Sequence, residues 1–95
     1  MLSILIPIYN FNVVAFVSDL QQQALACKID FEIICVDDCS TEKFKQENKR
    51  LKTIEGVVYE ELPKNIGRSK IRNLLAEKAN YNNLLFLDCD SAIVD

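Results

Sequence analysis

The chain has 95 residues, of which 49% are hydrophobic and 26% charged, and its net charge is -3. This length suits one small domain, and the composition excludes a disordered or fibrous protein. The negative charge argues against a nucleic-acid partner. The apolar N-terminus contains Pro7, is followed by Asn10 and has no preceding Lys or Arg, so it predicts neither a signal peptide nor a transmembrane segment. We therefore expect a soluble, cytoplasmic domain.

The first half of the chain predicts two buried strands, each followed by a helix. Residues 2–8, LSILIPI, form a short apolar run that is typical of a strand. Residues 31–38, FEIICVDD, predict a second strand, after which Ser40 is placed to cap a polar helix that ends at about residue 52. Between the two strands, apolar residues recur at helical spacing. They are Val13, Val17, Leu20, Ala24 and Cys27.

The second half repeats this alternation. Residues 56–62, GVVYEEL, predict a third strand that suits the edge of a sheet. Asn65 or Lys64 is expected to open a helix, and residues 82–88, NNLLFLD, predict the fourth and most buried strand. The apolar positions of this helix are Ile71, Leu74, Leu75 and Ala79. Because the strands are continuous apolar runs, we expect an α/β fold with a parallel sheet covered on both faces by helices.

Four cysteines raise the question of a metal site or a disulfide. The sequence has no C-x-x-C pair and no histidine, which argues against structural zinc. We expect reduced cysteines that serve as small core residues. They are Cys27, Cys35, Cys39 and Cys89.

Acidic residues follow the second and the fourth predicted strand. In a parallel sheet the carboxyl ends of the strands meet at one edge, and ligands bind outside that edge. Asp88 and Asp90 are two residues apart, and such a pair suits Mg2+ or Mn2+, although Asp is also common at strand ends as a cap. Asp38 is either a cap or an acceptor for the N–H and O–H groups of a base or ribose.

The segment NIGRSKIRN, residues 65–73, is a third polar feature at this edge. Gly67 allows close backbone approach or an unusual backbone angle at the start of the helix. Arg68 and Arg72 are four residues apart and share a helix face. Each is either a surface residue or a donor for an anion or a base in the cleft.

Four motifs together resemble the N-terminal half of family 2 glycosyltransferases with the GT-A fold. They are ILIPIYN, VDDCST, NIGRSKIRN and LLFLDCD, in the same order and spacing as in that family. The resemblance implies a Rossmann-like three-layer α/β/α parallel sheet with strand order 3-2-1-4. It also implies transfer of a sugar from a nucleotide-diphosphate sugar, most often a UDP-sugar, to a glycan or lipid-linked acceptor, at the inner face of the membrane in some cases.

The resemblance assigns roles to residues that match these motifs. Pro7 and Tyr9 would shape the nucleotide pocket, with Tyr9 against the base. Asp38 would accept a hydrogen bond from the base, and Arg72 would lie on the nucleotide side of the same pocket. Family members usually carry Gly or another small residue where Cys39 stands.

The resemblance also implies a metal site. Asp88 would reach the ribose or a metal-bound water, and Asp90 would ligate Mn2+ or Mg2+ that bridges the two phosphates. In inverting family members the catalytic base follows well after this motif, and no residue here matches it. We therefore expect residues 1–95 to be the nucleotide-binding part of a truncated domain, inactive alone. The exposed edge of its fourth strand would favour self-association.

Two alternatives remain at this point. From residue 31 onward the order of elements is also similar to a response-regulator receiver, with Asp88 phosphorylated and Asp37 and Asp38 holding Mg2+. In that case the first 30 residues are an extra unit, and Asp90 has no role. The other alternative is a nucleotide-binding fragment without activity.

Overall fold

The computed structural model describes residues 1–88 as one parallel sheet with helices on both faces. The elements are β1 Leu2–Ile8, α1 Val14–Ala26, β2 Phe31–Asp37, α2 Glu42–Asn48, a 3-10 helix Lys49–Thr53, β3 Val57–Glu61, α3 Arg68–Lys78 and β4 Leu84–Phe86. The strand order is β3-β2-β1-β4, and every pairing is parallel. The predicted α/β fold and strand order are confirmed.

The position of β4 excludes the receiver interpretation. In a receiver, with strand order 2-1-3-4-5, the strand that begins at Phe31 would lie between the two strands that follow it. Here β2 lies between β3 and β1, and β4 pairs with β1 through Ser3 and Leu84. The first β-α unit is therefore not an addition to the sheet, because its strand, β1, lies inside the sheet between β2 and β4.

Two apolar cores form because neighbouring residues of a strand point to opposite faces. Ile4, Ile6 and Ile8 of β1 pack with α1 and the 3-10 helix on one face. Leu5 packs on the other face against Ile71 and Leu75 of α3, which are 2% and 0% exposed. These two cores give the three layers that were predicted.

The beginning of α2 differs from the prediction. Thr41, not Ser40, is the N-cap residue, and its side chain makes no capping hydrogen bond. The Ser40 hydroxyl donates instead to the carboxylate of Asp37. The helix is also shorter than expected, because the backbone tightens into the 3-10 helix at Lys49.

The beginning of α3 also differs. Gly67 is the N-cap residue with a φ of 89°, and the helix begins at Arg68 rather than at Lys64 or Asn65. A Cβ at Gly67 would have no neighbour within 4 Å, so its left-handed backbone, and not lack of space, is what favours glycine there.

The sequence suggested that the fourth strand would be the most buried one. The structure shows that it is not. Leu84 and Leu85 are each 41% exposed, whereas Leu5 and Ile6 of β1 are fully buried. Within residues 1–88, β4 pairs with β1 along one edge and has no partner along the other. β1 is buried because it lies inside the sheet, with β2 and β4 on either side.

The cysteines do not all lie in the core. Cys35 is buried in β2, Cys39 is half-buried, and Cys27 is exposed at the end of α1. The core prediction is confirmed for Cys35 and wrong for Cys27, while Cys89 lies outside the described residues. No helix within residues 1–88 has both the length and the apolar character that crossing a membrane requires.

Candidate functional site

A cleft of about 340 Å3 opens at the carboxyl ends of the strands. Its walls come from the ends of β1, β2 and β4 and from the first turn of α3. The lining residues are Pro7, Ile8, Tyr9, Phe11, Asp38, Asn65, Gly67, Arg68, Ile71 and Asp88. Ligands of parallel α/β sheets bind at this position.

The cleft brings together four of the predicted nucleotide-site residues, namely Pro7, Tyr9, Asp38 and Asp88. The fifth, Arg72, lies elsewhere, with its guanidinium 4.5 Å from the centre of the Phe86 ring. Arg68 lines the cleft instead, because α3 begins at this residue and its first turn faces the sheet edge. Asp90 lies outside the described residues.

Two aromatic side chains stand at the wall formed after β1. Tyr9 is 57% exposed and Phe11 is half-buried, and both line the cleft. Aromatic faces of this kind can stack on a nucleotide base. Tyr9 was predicted from the sequence and Phe11 was not, although its spacing from Tyr9 was an available signal.

The loop after β1 is held by the loop after β2. The Asn10 N–H donates to the Ser40 hydroxyl at 2.8 Å, and the Asn10 side-chain oxygen accepts the Thr41 N–H at 2.8 Å. Asp37 is fully buried and accepts the Ser40 N–H at 2.8 Å. Asp37 therefore fixes this turn and does not line the cleft.

Asn48 also supports the wall of the cleft that follows β1. It is fully buried at the end of α2, and its amide donates to the Phe11 carbonyl at 2.7 Å. Its side-chain oxygen accepts the Val13 N–H at 3.0 Å. Sequence reasoning missed Asn48, because an asparagine within a polar helix usually faces solvent.

Asp38 joins the end of β2 to the start of α3. Its carboxylate accepts the N–H groups of Ile66 at 2.7 Å and Gly67 at 3.1 Å, and it also accepts the amide of Asn65 at 3.0 Å. Its own N–H donates to the Ile8 carbonyl at 2.8 Å. Both residues of the Asp37-Asp38 pair thus have structural contacts, which the sequence did not reveal.

An ion pair crosses the open side of the cleft. The Arg68 guanidinium lies 3.0 Å from the Asp88 carboxylate, and the two side chains are 72% and 37% exposed. Exposed pairs of this kind contribute about 0 to 1 kcal/mol, so a ligand can displace either partner at low cost.

Asp88 is a hard oxygen donor of the type that Mg2+ and Mn2+ bind. Residues 1–88 contain no group of three or more His, Cys, Asp or Glu side chains placed to hold a metal ion. The second predicted ligand is Asp90, for which no position is described. The donor chemistry of Asp88 fits a divalent cation, and the metal site as a whole stays a prediction.

Comparison with known proteins decides the family. The family model described as glycosyl transferase family 2 matches residues 3–95. The chain belongs to this family. The assignment confirms the family that the four sequence motifs indicated.

Two curated relatives illustrate the likeness. The chain is 35% identical over 96 residues to an uncharacterized glycosyltransferase of Haemophilus influenzae, covering 99% of this chain and 31% of that protein. It is 30% identical over 94 residues to the poly(ribitol-phosphate) beta-N-acetylglucosaminyltransferase TarS of Staphylococcus aureus, covering 96% of this chain and 16% of that protein. The chain therefore spans less than a third of the length of either relative.

Solved structures show the same fold. Residues 1–349 of S. aureus TarS match with a TM-score of 0.76 and 28% identity, over 94% of this chain and 27% of that one. The complex of this TarS segment with UDP-GlcNAc matches with a TM-score of 0.68 and 30% identity, over 94% and 26%. The mannosyltransferase PcManGT of Pyrobaculum calidifontis, in complex with GDP-Man and Mn2+, shares the fold at 18% identity and a TM-score of 0.66, over 94% and 27%.

Proposed function

We propose that this chain carries the donor site of a glycosyltransferase that moves a sugar from a nucleotide-diphosphate sugar to a glycan or lipid-linked acceptor. The observation that carries the proposal is the cleft at the carboxyl edge of the sheet, where Pro7, Tyr9, Asp38 and Asp88 converge. A UDP-sugar is the donor we favour, because the TarS structures with this fold include complexes with UDP and UDP-GlcNAc.

Each wall of the cleft suits a different part of such a donor. Tyr9 and Phe11 offer aromatic surface to the base. Arg68 offers a guanidinium that suits a diphosphate. The place of Arg72 on the nucleotide side of the pocket, which the motif match implies, stays a prediction. Asp88 would contact the ribose or a metal-bound water.

We also propose that Asp88 and Asp90 hold Mn2+ or Mg2+. A diphosphate and two carboxylates repel one another, and a bound cation would offset that charge. The complex of PcManGT with GDP-Man and Mn2+ gives a precedent in the same fold. For Asp88 to serve the metal, Arg68 has to release it, which the exposed ion pair permits.

Titration calorimetry of the 95-residue chain with UDP tests this function. UDP should bind tightly only with Mn2+ or Mg2+ present, and Asp90→Asn should weaken binding more than any other single carboxylate change. Asp19→Asn, on the exposed side of α1, is the matched control. Equal affinity with and without metal would contradict the metal site, and absence of UDP binding under both conditions would contradict the donor site.

The acceptor and the rest of the domain are further proposals. Because the chain spans 31% of one relative and 16% of the other, we propose that it is the nucleotide-binding part of a larger domain that supplies the acceptor groups. The cytoplasmic location, and the inner face of the membrane for a lipid-linked acceptor, remain predictions from the sequence.

We propose that this chain self-associates through β4. Leu84 and Leu85 are exposed on a strand that is paired along one edge within the described residues, and such edges pair readily with another chain. Sedimentation velocity at micromolar concentration should detect species above the 10.9 kDa monomer, and Leu84→Lys should restore the monomer. A clean monomer for the unmodified chain would contradict this proposal.

A further inference from the structure

One polar side chain of α2 is buried, and both of its polar atoms are used. Asn48 is fully buried, although it ends a short helix in which Glu42 and Gln46 are exposed. Its amide donates to the Phe11 carbonyl at 2.7 Å, and its side-chain oxygen accepts the Val13 N–H at 3.0 Å. A reversed amide would lose both bonds, so the contacts assign which atom is nitrogen. Replacing this side chain would leave both backbone groups without a hydrogen bond.

These two bonds set the path of the chain between β1 and α1. Phe11 and Val13 are two residues apart, and one presents a carbonyl while the other presents an N–H. Neither belongs to a regular element, since β1 ends at Ile8 and α1 begins at Val14. Val13 is the N-cap residue of α1, and its side chain makes no capping hydrogen bond. Asn48 therefore supplies backbone contacts that secondary structure does not provide here.

The effect of Asn48 reaches the cleft through Phe11. The Phe11 side chain packs against the core on the α1 face and also lines the cleft, whereas Asn48 does not line it. The carbonyl of Phe11 is held by Asn48 and its ring is held by the core, so the ring is oriented before a ligand binds. A surface that is ordered in advance spares a ligand the entropic cost of ordering it.

We propose that Asn48 is a positioning residue that orients the aromatic face of Phe11 toward a flat ligand group in the cleft. The inference rests on the proposed function, under which this flat group is the base of the nucleotide. Asn48 contacts no ligand and acts on binding only through Phe11. A change at Asn48 should therefore matter only while the aromatic ring is present.

Titration calorimetry of the 95-residue chain with UDP and Mn2+ tests this route. Asn48→Leu has a similar size but makes no hydrogen bonds, and it should weaken UDP binding about fivefold. Phe11→Leu keeps apolar packing, removes the aromatic face and should weaken UDP binding about tenfold. The double variant should also lose about tenfold, because no ring is left to orient. A loss near the product of the two, about fiftyfold, would show that Asn48 acts elsewhere and would overturn the proposal.

Leu51→Val is the matched control for a general loss of stability. Leu51 is fully buried on the 3-10 helix that follows Asn48, packs in the core on the α1 face and does not line the cleft. This variant should lower stability in urea denaturation and keep the UDP affinity of the unmodified chain. If its UDP affinity falls as far as that of Asn48→Leu, Asn48 has only a structural role and the proposal is wrong.

The outcomes separate this inference from the proposed function. If the unmodified chain binds UDP and Asn48→Leu binds it equally well, this inference is wrong and the donor site stands. If the unmodified chain does not bind UDP, the donor site is wrong and this inference falls with it.

Asn48→Asp is a second variant, for use if Asn48→Leu does not fold. It keeps an acceptor for the Val13 N–H and loses the donor to the Phe11 carbonyl. Its loss of UDP affinity should likewise disappear when Phe11→Leu is also present. A loss that persists in the double variant would contradict the proposal.

Proton spectra of the UDP complex give a direct signature of the ring. In the unmodified chain the base should shift the ring signals of Phe11, which Phe11→Leu identifies among the five phenylalanines. At saturating UDP this shift should fall by about half in Asn48→Asp, because the ring no longer faces the base. The amide signals of Asn80 and Tyr81, which lie after α3 and outside the cleft, should stay in place. An unchanged Phe11 shift would show that the ring is oriented without Asn48, and would overturn the proposal.

Discussion

Both ends of α3 are tied to the sheet by an acidic side chain from β2 or its immediate flank. Asp38 directly follows β2 and binds the N–H groups of Ile66 and Gly67, just before the helix. Glu32, near the beginning of β2, accepts the Asn80 N–H at 2.6 Å and the Asn80 amide at 2.8 Å, just after the helix. β2 and the residue that follows it thus fix both ends of α3 with carboxylate acceptors.

The two ends differ in what surrounds the carboxylate. The end of α3 at Asp38 is called the upper end, and the end at Glu32 the lower end. At the lower end, Glu32 also accepts the Ser3 hydroxyl at 2.6 Å, and the Ser3 oxygen accepts the Tyr81 N–H at 3.2 Å. Ser3 is fully buried, and none of the residues of this network lines the cleft. At the upper end the loop borders the cleft, and both Asp38 and Asn65 line it.

The two ends of α3 show how an acidic residue at a strand end can be interpreted. A carboxylate that accepts several N–H groups orders a loop wherever it lies, so its presence alone does not indicate a ligand site. A position beside an open cleft is the feature that indicates a ligand site. We therefore expect changes at the upper end to affect both stability and nucleotide binding, and changes at the lower end to affect stability alone.

The largest effect should follow removal of the upper carboxylate. Asp38→Ala leaves the N–H groups of Ile66 and Gly67 without their buried acceptor, and we expect the free energy of unfolding to fall by about 3 kcal/mol. UDP affinity should fall as well, though by less than for Asp90→Asn, because the loop that borders the cleft is no longer held. Urea denaturation and calorimetry measure the two effects. Full UDP affinity in a destabilised variant would contradict the link between loop order and binding.

The matched change at the lower end is Glu32→Gln. Glutamine keeps one acceptor but replaces the other with an N–H2 group that faces donors, so we expect a loss of about 1 to 2 kcal/mol in the free energy of unfolding. UDP affinity should remain unchanged, since Glu32 lies at the opposite edge of the sheet from the cleft. A large loss of UDP affinity would show that α3 transmits changes between its ends.

Glu32 also predicts a pH dependence. Burial raises the pKa of this carboxyl, but hydrogen bonds from Ser3 and from the backbone and side chain of Asn80 outweigh burial, and the pKa lies below the usual value of 4.5. A group with a lowered folded-state pKa adds stability above its unfolded pKa and loses that contribution as the pH falls through the folded value. The stability gap between the unmodified chain and Glu32→Gln should therefore shrink below pH 4.5. Urea denaturation at several acidic pH values checks this, and a constant gap would contradict it.

The elements of the fold could be predicted from the sequence because they depend on local apolar patterns. The runs in residues 2–8 and 31–38 are continuous, and both became strands of the parallel sheet. The burial of the last strand was predicted incorrectly, because burial depends on which neighbour a strand acquires. Leu84 and Leu85 are as apolar as residues of β1, yet within residues 1–88 they lie on an edge strand.

The site could be predicted only in part, for a similar reason. Strand ends are visible in the sequence, so Tyr9, Asp38 and Asp88 were expected at one edge, and all three line the cleft. Arg72 was assigned from the motif match, whereas Arg68 lines the cleft because α3 begins at this residue. Gly67 sets that point through its positive φ, and the sequence pattern allowed an earlier start.

A smaller effect, confined to the upper end, should follow Arg68→Gln. The pair with Asp88 is exposed, so the stability should change by less than about 0.5 kcal/mol. UDP affinity should fall about threefold to fivefold, because a charged donor to the diphosphate is lost. Lys70→Gln is the matched control, since Lys70 is exposed on the same helix and does not line the cleft. If calorimetry finds equal losses of UDP affinity for both variants, Arg68 acts only through its general charge and not through a contact with the diphosphate.

The smallest effect concerns strain next to the upper carboxylate. Cys39 has a φ of 61°, a left-handed backbone that costs a residue with a Cβ about 1 to 2 kcal/mol. Glycine removes that cost but loses about 0.5 to 1 kcal/mol more conformational entropy on folding, so Cys39→Gly should raise the free energy of unfolding by roughly 0.5 kcal/mol. The change also removes the weak contact of the thiol with the Pro63 carbonyl at 3.7 Å, which limits the gain.

Cys27→Gly is the control for this last prediction. Cys27 ends α1 with a φ of -78°, where any residue fits, so glycine brings only its entropic cost and should lower stability. Thermal denaturation of the two variants should therefore give shifts of opposite sign. If Cys39→Gly lowers the melting temperature as much as Cys27→Gly does, the contact with Pro63 outweighs the backbone strain. The turn that carries Asp38 would then be held by its side chains, as the lower end of α3 is.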